Sequence, residues 1–420
     1  MELQSYFEPI NRALVDFLEG DFEHCLGSDM ACFWEGGAFP DLQGVNLAIV
    51  GVCDDRGSVR NSGCAGGADT IRRKLYRLAS PSENMCLVDL GNIAPGKHQE
   101  DTQYALTDVM FQLLDRNITV IVLGGSQEFT FAQYKAYELL GRVINIVSID
   151  SRFDLENTDR IASNSWLYHI IKQDPNYLFN FTNLCYQTYF CDRKLLKLVD
   201  ELNFDAFRLG TIQPNMERAE TLIRAADLLS IDLGAVRQSD CPANGNPSPH
   251  GLYGEELCHM ARMAGLSDKL TSIGFFELNP RFDNNFQSAH MVAHALWYFI
   301  EGFYNRVCDF PYRDKENYMR FLVTFNSPSV HLTQTSGFDL MHTTSMEERL
   351  TQTDINNMDI VFYKSKKSNR WWMEVPCEMS EKRERYMRHL LIPCTYTEYE
   401  QAMTNTIPDL WWRYFNRVNL

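Results

Sequence analysis

The chain has 420 residues, room for one large domain with an appendage, and 45% hydrophobic against 22% charged residues is the balance of a globular protein with a sizeable core. A net charge of −16, spread along the chain, excludes the basic face that nucleic-acid binding needs. Met1–Gln4 shows no signal peptide, no apolar run is long enough for membrane insertion, and twelve cysteines without a CxxC pair read as reduced thiols, so a cytoplasmic protein is expected.

In chain order, Phe7, Ile10, Leu14, Phe17 and Leu18 fall at helical spacing and predict a helical lead-in over residues 1–44. From Val45 the period changes. Short apolar runs predict strands at Val45–Val52, Met85–Leu90, Ile118–Leu123, Val143–Ile149, Asn183–Tyr186, Phe207–Ile212, Leu228–Ile231 and Leu270–Phe276. Between and after them, amphipathic stretches predict helices at Thr70–Leu78, Thr102–Arg116, Thr130–Leu140, Arg193–Leu202, Ala219–Ala226, Gly254–Ala264 and Ser288–Asn305. Continuous apolar strands separated by helices imply a three-layer α/β/α domain with a mainly parallel central sheet over residues 45–310.

After Pro311 the character shifts. Arg320–Phe325 and Asp359–Tyr363 predict strands, Pro393–Met403 and Pro408–Phe415 helices, so residues 311–420 form a C-terminal α+β extension. It holds Trp371, Trp372, Trp411 and Trp412, four of the seven tryptophans. They either seal the extension onto the main domain, the plainer reading, or anchor a protein partner.

Ligands of a parallel sheet bind at the carboxyl ends of its strands. Four such ends carry polar residues: Gly124-Gly125-Ser126-Gln127, then Asp150-Ser151-Arg152-Phe153-Asp154, then Ser230-Ile231-Asp232-Leu233-Gly234, and finally Glu277-Leu278-Asn279-Pro280. In this order they resemble the Gly-Gly-x-His, Asp-x-His-x-Asp, Ser-Phe-Asp-x-Asp and Glu-x-Asn-Pro segments of the arginase, agmatinase and formimidoylglutamase family, the ureohydrolases. Asp55-Arg56-Gly57, Asn61-Ser62-Gly63, Gly66–Arg72 and Val88–Asn92 add to the likeness, which runs from about Leu47 to about Arg306. The resemblance implies an arginase-like fold and a pair of manganese ions that activate a water against a guanidinium or formimino carbon.

That family holds its metals with two histidines and four aspartates. Matched position by position, this chain keeps Asp150, Asp154 and Asp232 but places Gln127 and Arg152 at the two histidines and Gly234 at the last aspartate. A glutamine is a weak neutral donor and glycine has no side chain. An arginine stays protonated and accepts no coordination bond. Arg152 is therefore expected to stand in electrostatically for the ions, with bidentate hydrogen bonds to the three carboxylates. Glu277 matches the carboxylate that grips the substrate's guanidinium. Where the family has a His-Gly segment, this chain reads Ala162-Ser163-Asn164-Ser165, with His169 a few residues on.

Other features take plainer readings: His290 and His294 as incidental histidines on a packed helix, Cys53 and Cys64 as buried thiols, Lys364–Lys367 as a solvated turn. Three functions follow. The first is a pseudoenzyme without a cofactor, acting through a protein partner at its surface or C-terminal extension. The second is an active hydrolase of linear amidines that uses one or two manganese ions on a guanidino or formimino substrate. The third is a sensor of a cationic small molecule. Ureohydrolases often form trimers or hexamers, which admits a homo-oligomer here.

Overall fold

The computed structural model describes residues 2–14, 24–311, 315–325, 331–332, 359–377 and 379–419. The main sheet is built from β1 (Phe7–Glu8), β2 (Ala31–Cys32), β3 (Leu47–Val52), β4 (Leu87–Ile93), β5 (Thr119–Leu123), β6 (Ile144–Ile149), β7 (Leu178–Tyr186), β8 (Asp205–Arg208), β9 (Leu228–Asp232) and β10 (Ser272–Phe276). Their order is β1-β4-β3-β5-β10-β9-β6-β7-β8, with β2 also on β4. Only β1 runs antiparallel to its neighbour.

The residues dictate this arrangement. Every position of β3, β5 and β6 is buried. Strands apolar on both faces need a layer of helices on each side, and the helices between them supply the crossovers that parallel pairing requires. Successive residues accordingly feed two cores. Ile49, Leu123 and Ile149 pack on one face, Val50, Val122 and Ile146 on the other. Beside β4, the buried Arg72 forks onto Asp89 at 2.9 and 2.8 Å and donates to Gly91 O at 3.0 Å, while Tyr76 Oη donates to Asp89 at 2.9 Å. These bonds compensate the charge of Asp89 in the core.

The extension contributes β11 (Tyr318–Thr324), β12 (His331–Leu332), β13 (Asp359–Ser365), β14 (Trp371–Glu374), β15 (Leu391–Cys394) and β16 (Thr406–Ile407). An antiparallel sheet runs β11-β13-β14-β15, and β12 pairs with β16. All four tryptophans are buried, so they pack inside and do not present an aromatic surface. The extension docks at the amino ends of the main strands, opposite the candidate site. Arg224 donates to Trp371 O and Cys394 O at 3.2 and 3.3 Å, and Arg413 pairs with Asp205 at 3.0 Å. Beneath them lies a buried polar knot. Lys269 Nζ donates to Ala225 O at 2.6 Å and lies 3.3 Å from Asp227 and 3.1 Å from His389 Nδ1. His389 Nε2 donates to Val143 O at 2.9 Å, and its ring stacks on Phe179.

Several elements differ from expectation. Over residues 2–14, which are described, the lead-in is not the continuous helix its spacing suggests. Leu3–Tyr6 is a 3-10 turn and Phe7–Glu8 an edge strand on β4, and Phe17 and Leu18 lie outside the described residues. Phe207–Ile212 splits into the end of β8 and a short helix, Leu209–Ile212; β8 ends the sheet order, so no neighbour on its far side holds the chain extended. Helix Tyr396–Met403 starts later than expected because Leu391–Cys394 is a strand. Pro393 sits there opposite Trp372, and β15 ends its sheet, where a residue without an N–H is tolerated. No helix among the described residues is long and apolar enough to cross a membrane.

Candidate functional site

The strand order brings the four polar strand ends together. β5, β10, β9 and β6 are consecutive neighbours, so Gln127, Glu277, Asp232 and Asp150 emerge side by side although up to 150 residues separate them. Phe276 pairs with Asp232 across the β9–β10 ladder. A cavity of about 400 Å3 opens there, lined by Asp154, Asp232, Glu277, Arg152, Arg60 and Asn244, among others. Glu277 and Asp154 hold positive φ angles of 68° and 49°, conformations uncommon for side-chain-bearing residues and frequent at ligand sites.

Glu277 is buried and, among the described residues, forms no ion pair. Oε1 accepts the Gln127 backbone N–H at 3.0 Å, and Oε2 accepts Asn61 Nδ2 at 2.7 Å and Ser58 Oγ at 3.2 Å. Asn61 is itself clamped: its Oδ1 accepts Gly245 N at 2.7 Å and Asn279 Nδ2 at 3.0 Å. The Asn of Glu-x-Asn-Pro thus ties the glycine-rich loop to the end of β10. Burial, with the nearby Asp232 charge, pushes Glu277 up to about 8. Burial likewise pushes Asp154 to about 7 and, with the Asp150 charge, Asp232 to about 8. Asp150 rises through burial and the proximity of Asp154. A pocket floor of carboxyls that resist ionisation is a site prepared for positive charge.

The altered ligand positions behave differently from one another. Gln127 turns its amide into the sheet, with Nε2 3.2 Å from Ser230 Oγ and 3.5 Å from Ser148 Oγ. Gly234 donates its backbone N–H to Asp232 Oδ1 at 2.6 Å. Arg152 departs from the expectation of a bidentate bridge. Its backbone N–H donates to Asp150 Oδ1 at 2.8 Å, but its guanidinium is exposed and lies over the Phe190 ring, 4.1 Å from the centroid. The aromatic face is accessible from the rim, where the guanidinium keeps its contact with water. Its charge reaches Asp150 and Asp232 only as a minor pull.

These residues do not fit a pair of manganese ions. Of the six ligand positions, Arg152 and Gly234 offer no coordinating side-chain atom and Gln127 only a neutral amide oxygen. Among the described residues, no group of three or more His, Cys, Asp or Glu is arranged to hold an ion. His169 lies away from the cavity, edge-on to Phe131 and Tyr168, and His290 and His294 sit exposed on helix Gln287–Tyr304. Burial pushes the thiols of Cys53 and Cys64 up, leaving them protonated.

Sequence reasoning passed over three groups that shape the site. Asn61 was visible only as part of a glycine-rich stretch. Glu128, 0% exposed, has no hydrogen-bond partner of good geometry on either oxygen, and burial pushes it to about 8. Trp166 donates its indole N–H to Asp154 Oδ2 at 2.8 Å, and nothing local in the sequence marks that contact.

Known proteins share this fold. Formimidoylglutamases of Salmonella typhi and Staphylococcus haemolyticus are 26% and 25% identical over 273 and 277 residues, spanning 62% of this chain and 86% of each relative. The solved formimidoylglutamase of Bacillus subtilis superposes with a TM-score of 0.61 at 19% identity, covering 69% of this chain and 95% of that one. A Trypanosoma cruzi formiminoglutamase solved with Mn2+ gives 0.59 at 20% identity, covering 64% and 100%. Residues 45–301, more than half of the sequence, match the arginase family as a whole, and the chain belongs to that family.

Proposed function

We propose that this arginase-family chain keeps the formimidoylglutamase scaffold and its carboxyl-lined pocket but does not carry out two-manganese hydrolysis, acting instead as a pseudoenzyme through a protein partner in the cytoplasm. One observation carries this reading. Gln127, Arg152 and Gly234 stand at three metal-ligand positions: the first offers only a neutral amide, the second a cation that lies over Phe190, the third no side chain, and among the described residues no group of three or more His, Cys, Asp or Glu is arranged to hold an ion. Metal analysis of the purified protein, together with a hydrolysis assay on formiminoglutamate, tests it. The reading expects neither stoichiometric manganese nor turnover; two equivalents of manganese with product release overturn it.

A second reading has specific support. The curated relatives named above are formimidoylglutamases, and Glu277 remains in place with neutral donors on both oxygens. In that reading the chain is a hydrolase of the non-peptide C–N bond of a linear amidine. The pocket residues have defined parts in it: Glu277 grips the cationic end, and Asn61, Ser58 and the Gln127 N–H fix the carboxyl. A chain that retains only this grip senses a cationic ligand without turning it over. A thermal-shift screen with arginine, agmatine and formiminoglutamate separates the cases, because a ligand that binds the native state raises the midpoint.

A further inference from the structure

The floor of the cavity holds acceptors without donors. Asp150 Oδ1 accepts the Arg152 N–H at 2.8 Å, Asp154 Oδ2 the Trp166 indole N–H at 2.8 Å and Asp232 Oδ1 the Gly234 N–H at 2.6 Å. No other donor among the described residues reaches these carboxyls, so each keeps one oxygen unused. Asp150 is 1% exposed, and its Oδ2 is buried with no hydrogen bond. Gln127, 0% exposed, adds a second orphan. Its Nε2 lies 3.2 Å from Ser230 Oγ and 3.5 Å from Ser148 Oγ, and its Oε1 accepts nothing. Ser148 and Ser230 precede Asp150 and Asp232 by two residues, the spacing of one sheet face, so the amide lies next to both carboxyls. The Asp150 and Asp154 carboxyls are in contact, and Asp154 and Asp232 line the cavity.

Buried acceptors left unpaired are costly, and a group that carries only donors completes them. A small divalent ion needs its oxygens at about 2.0–2.2 Å, and no three acidic groups among the described residues are arranged for that. An ammonium bonds at about 2.8 Å and tolerates a wider set. A guanidinium pairs best with both oxygens of one carboxylate, and here each carboxyl already spends one on the chain. A primary ammonium has three N–H groups and no acceptor, one donor for each unused oxygen.

We propose that Asp150, Asp154 and Asp232 seat the ammonium of a small primary amine where the family's metal ions would lie. This deepens the reading of a cation-binding pocket and, like it, requires that the two-manganese centre be absent. The mouth selects the far end of the ligand. Arg60 and Arg152 both line the cavity with exposed side chains, and Arg60 forms no ion pair among the described residues. An amine with a carboxylate a few bonds away meets the acids with one end and these arginines with the other.

The test is calorimetric titration of the full chain in chelator, with manganese uptake measured separately. 5-Aminovalerate should bind one per chain with a Kd of about 1 mM or tighter, ahead of cadaverine. Its trimethylammonium analogue keeps the charge and loses every N–H; it and the guanidino analogue should each bind at least about tenfold more weakly. Asp150→Asn and Asp232→Asn should each weaken 5-aminovalerate about 10- to 100-fold. The comparison of the three cations needs only wild-type protein, so it stands if a variant does not fold. A trimethylammonium or guanidino analogue that binds as tightly as the amine overturns the three-donor seat, and cadaverine binding ahead of 5-aminovalerate overturns the part given to the mouth. A wild type that takes up neither amine nor manganese overturns the proposal and leaves the pseudoenzyme reading standing. A wild type that takes up two manganese ions overturns both.

Discussion

Glu128 lies in the interior with both oxygens lacking good hydrogen bonds and is pushed by burial to about 8, with Ser126 giving partial relief. Its folded-state pKa lies above the ordinary value near 4.5, so the native state binds the proton more tightly than the unfolded chain. Stability is therefore full at acid pH and falls as pH rises toward 8. At about 1.4 kcal/mol per pH unit, the burden at pH 7 is about 3 kcal/mol, of the order of a third of a typical domain's stability. Glu128→Gln removes the titration and keeps the shape. Urea unfolding at pH 5, 7 and 8 should show a gain of about 1 kcal/mol at pH 5 that grows to about 3 kcal/mol at pH 7, with an unchanged m-value. A gain of equal size at every pH, or none at pH 8, refutes the argument that an uncompensated buried charge is the cause.

Three further outcomes are expected. His389 accepts a hydrogen bond from Lys269 and is pushed down to about 3 by burial; its depressed pKa means that stability present above about 6.5 is lost as pH falls, by about 2 kcal/mol at pH 5, and His389→Gln should flatten the melting-point profile between pH 6.5 and 4. Arg72→Met leaves Asp89 buried without its cation and should cost about 3–5 kcal/mol in urea unfolding; a cost under about 1 kcal/mol contradicts the assigned role. Arg152→Ala removes only an exposed stack on Phe190 and should change stability by less than about 1 kcal/mol, whereas a loss of several would restore the bridging role first expected of it.

Much of the architecture was written in local pattern. Runs such as Leu47–Val52 and Val120–Leu123 carry no polar side chain, and only a strand covered on both faces tolerates that. Where local pattern failed, long-range pairing was the reason. β7 extends back from the expected Asn183 to Leu178 through Asn180 and Thr182, polar residues that hide its first half, and Pro393 conceals β15 because it is acceptable only at a sheet edge.

The division is sharpest at the site. Residue identity alone determined that Gly234 has no side chain to coordinate with, that Arg152 brings a permanent cation and that Gln127 offers only a neutral amide oxygen, because coordination depends on donor atoms the side chain has or lacks. It also determined which strand ends carry the acids. Only the tertiary structure decided where those side chains point. Arg152 chose Phe190 over the aspartates, and Trp166, a buried aromatic with no local signature, became the partner of Asp154. The physical reason is that a side chain's direction is settled by competition among neighbours brought together by the strand order β5-β10-β9-β6, and that order lies in non-local pairing that no short stretch of sequence contains.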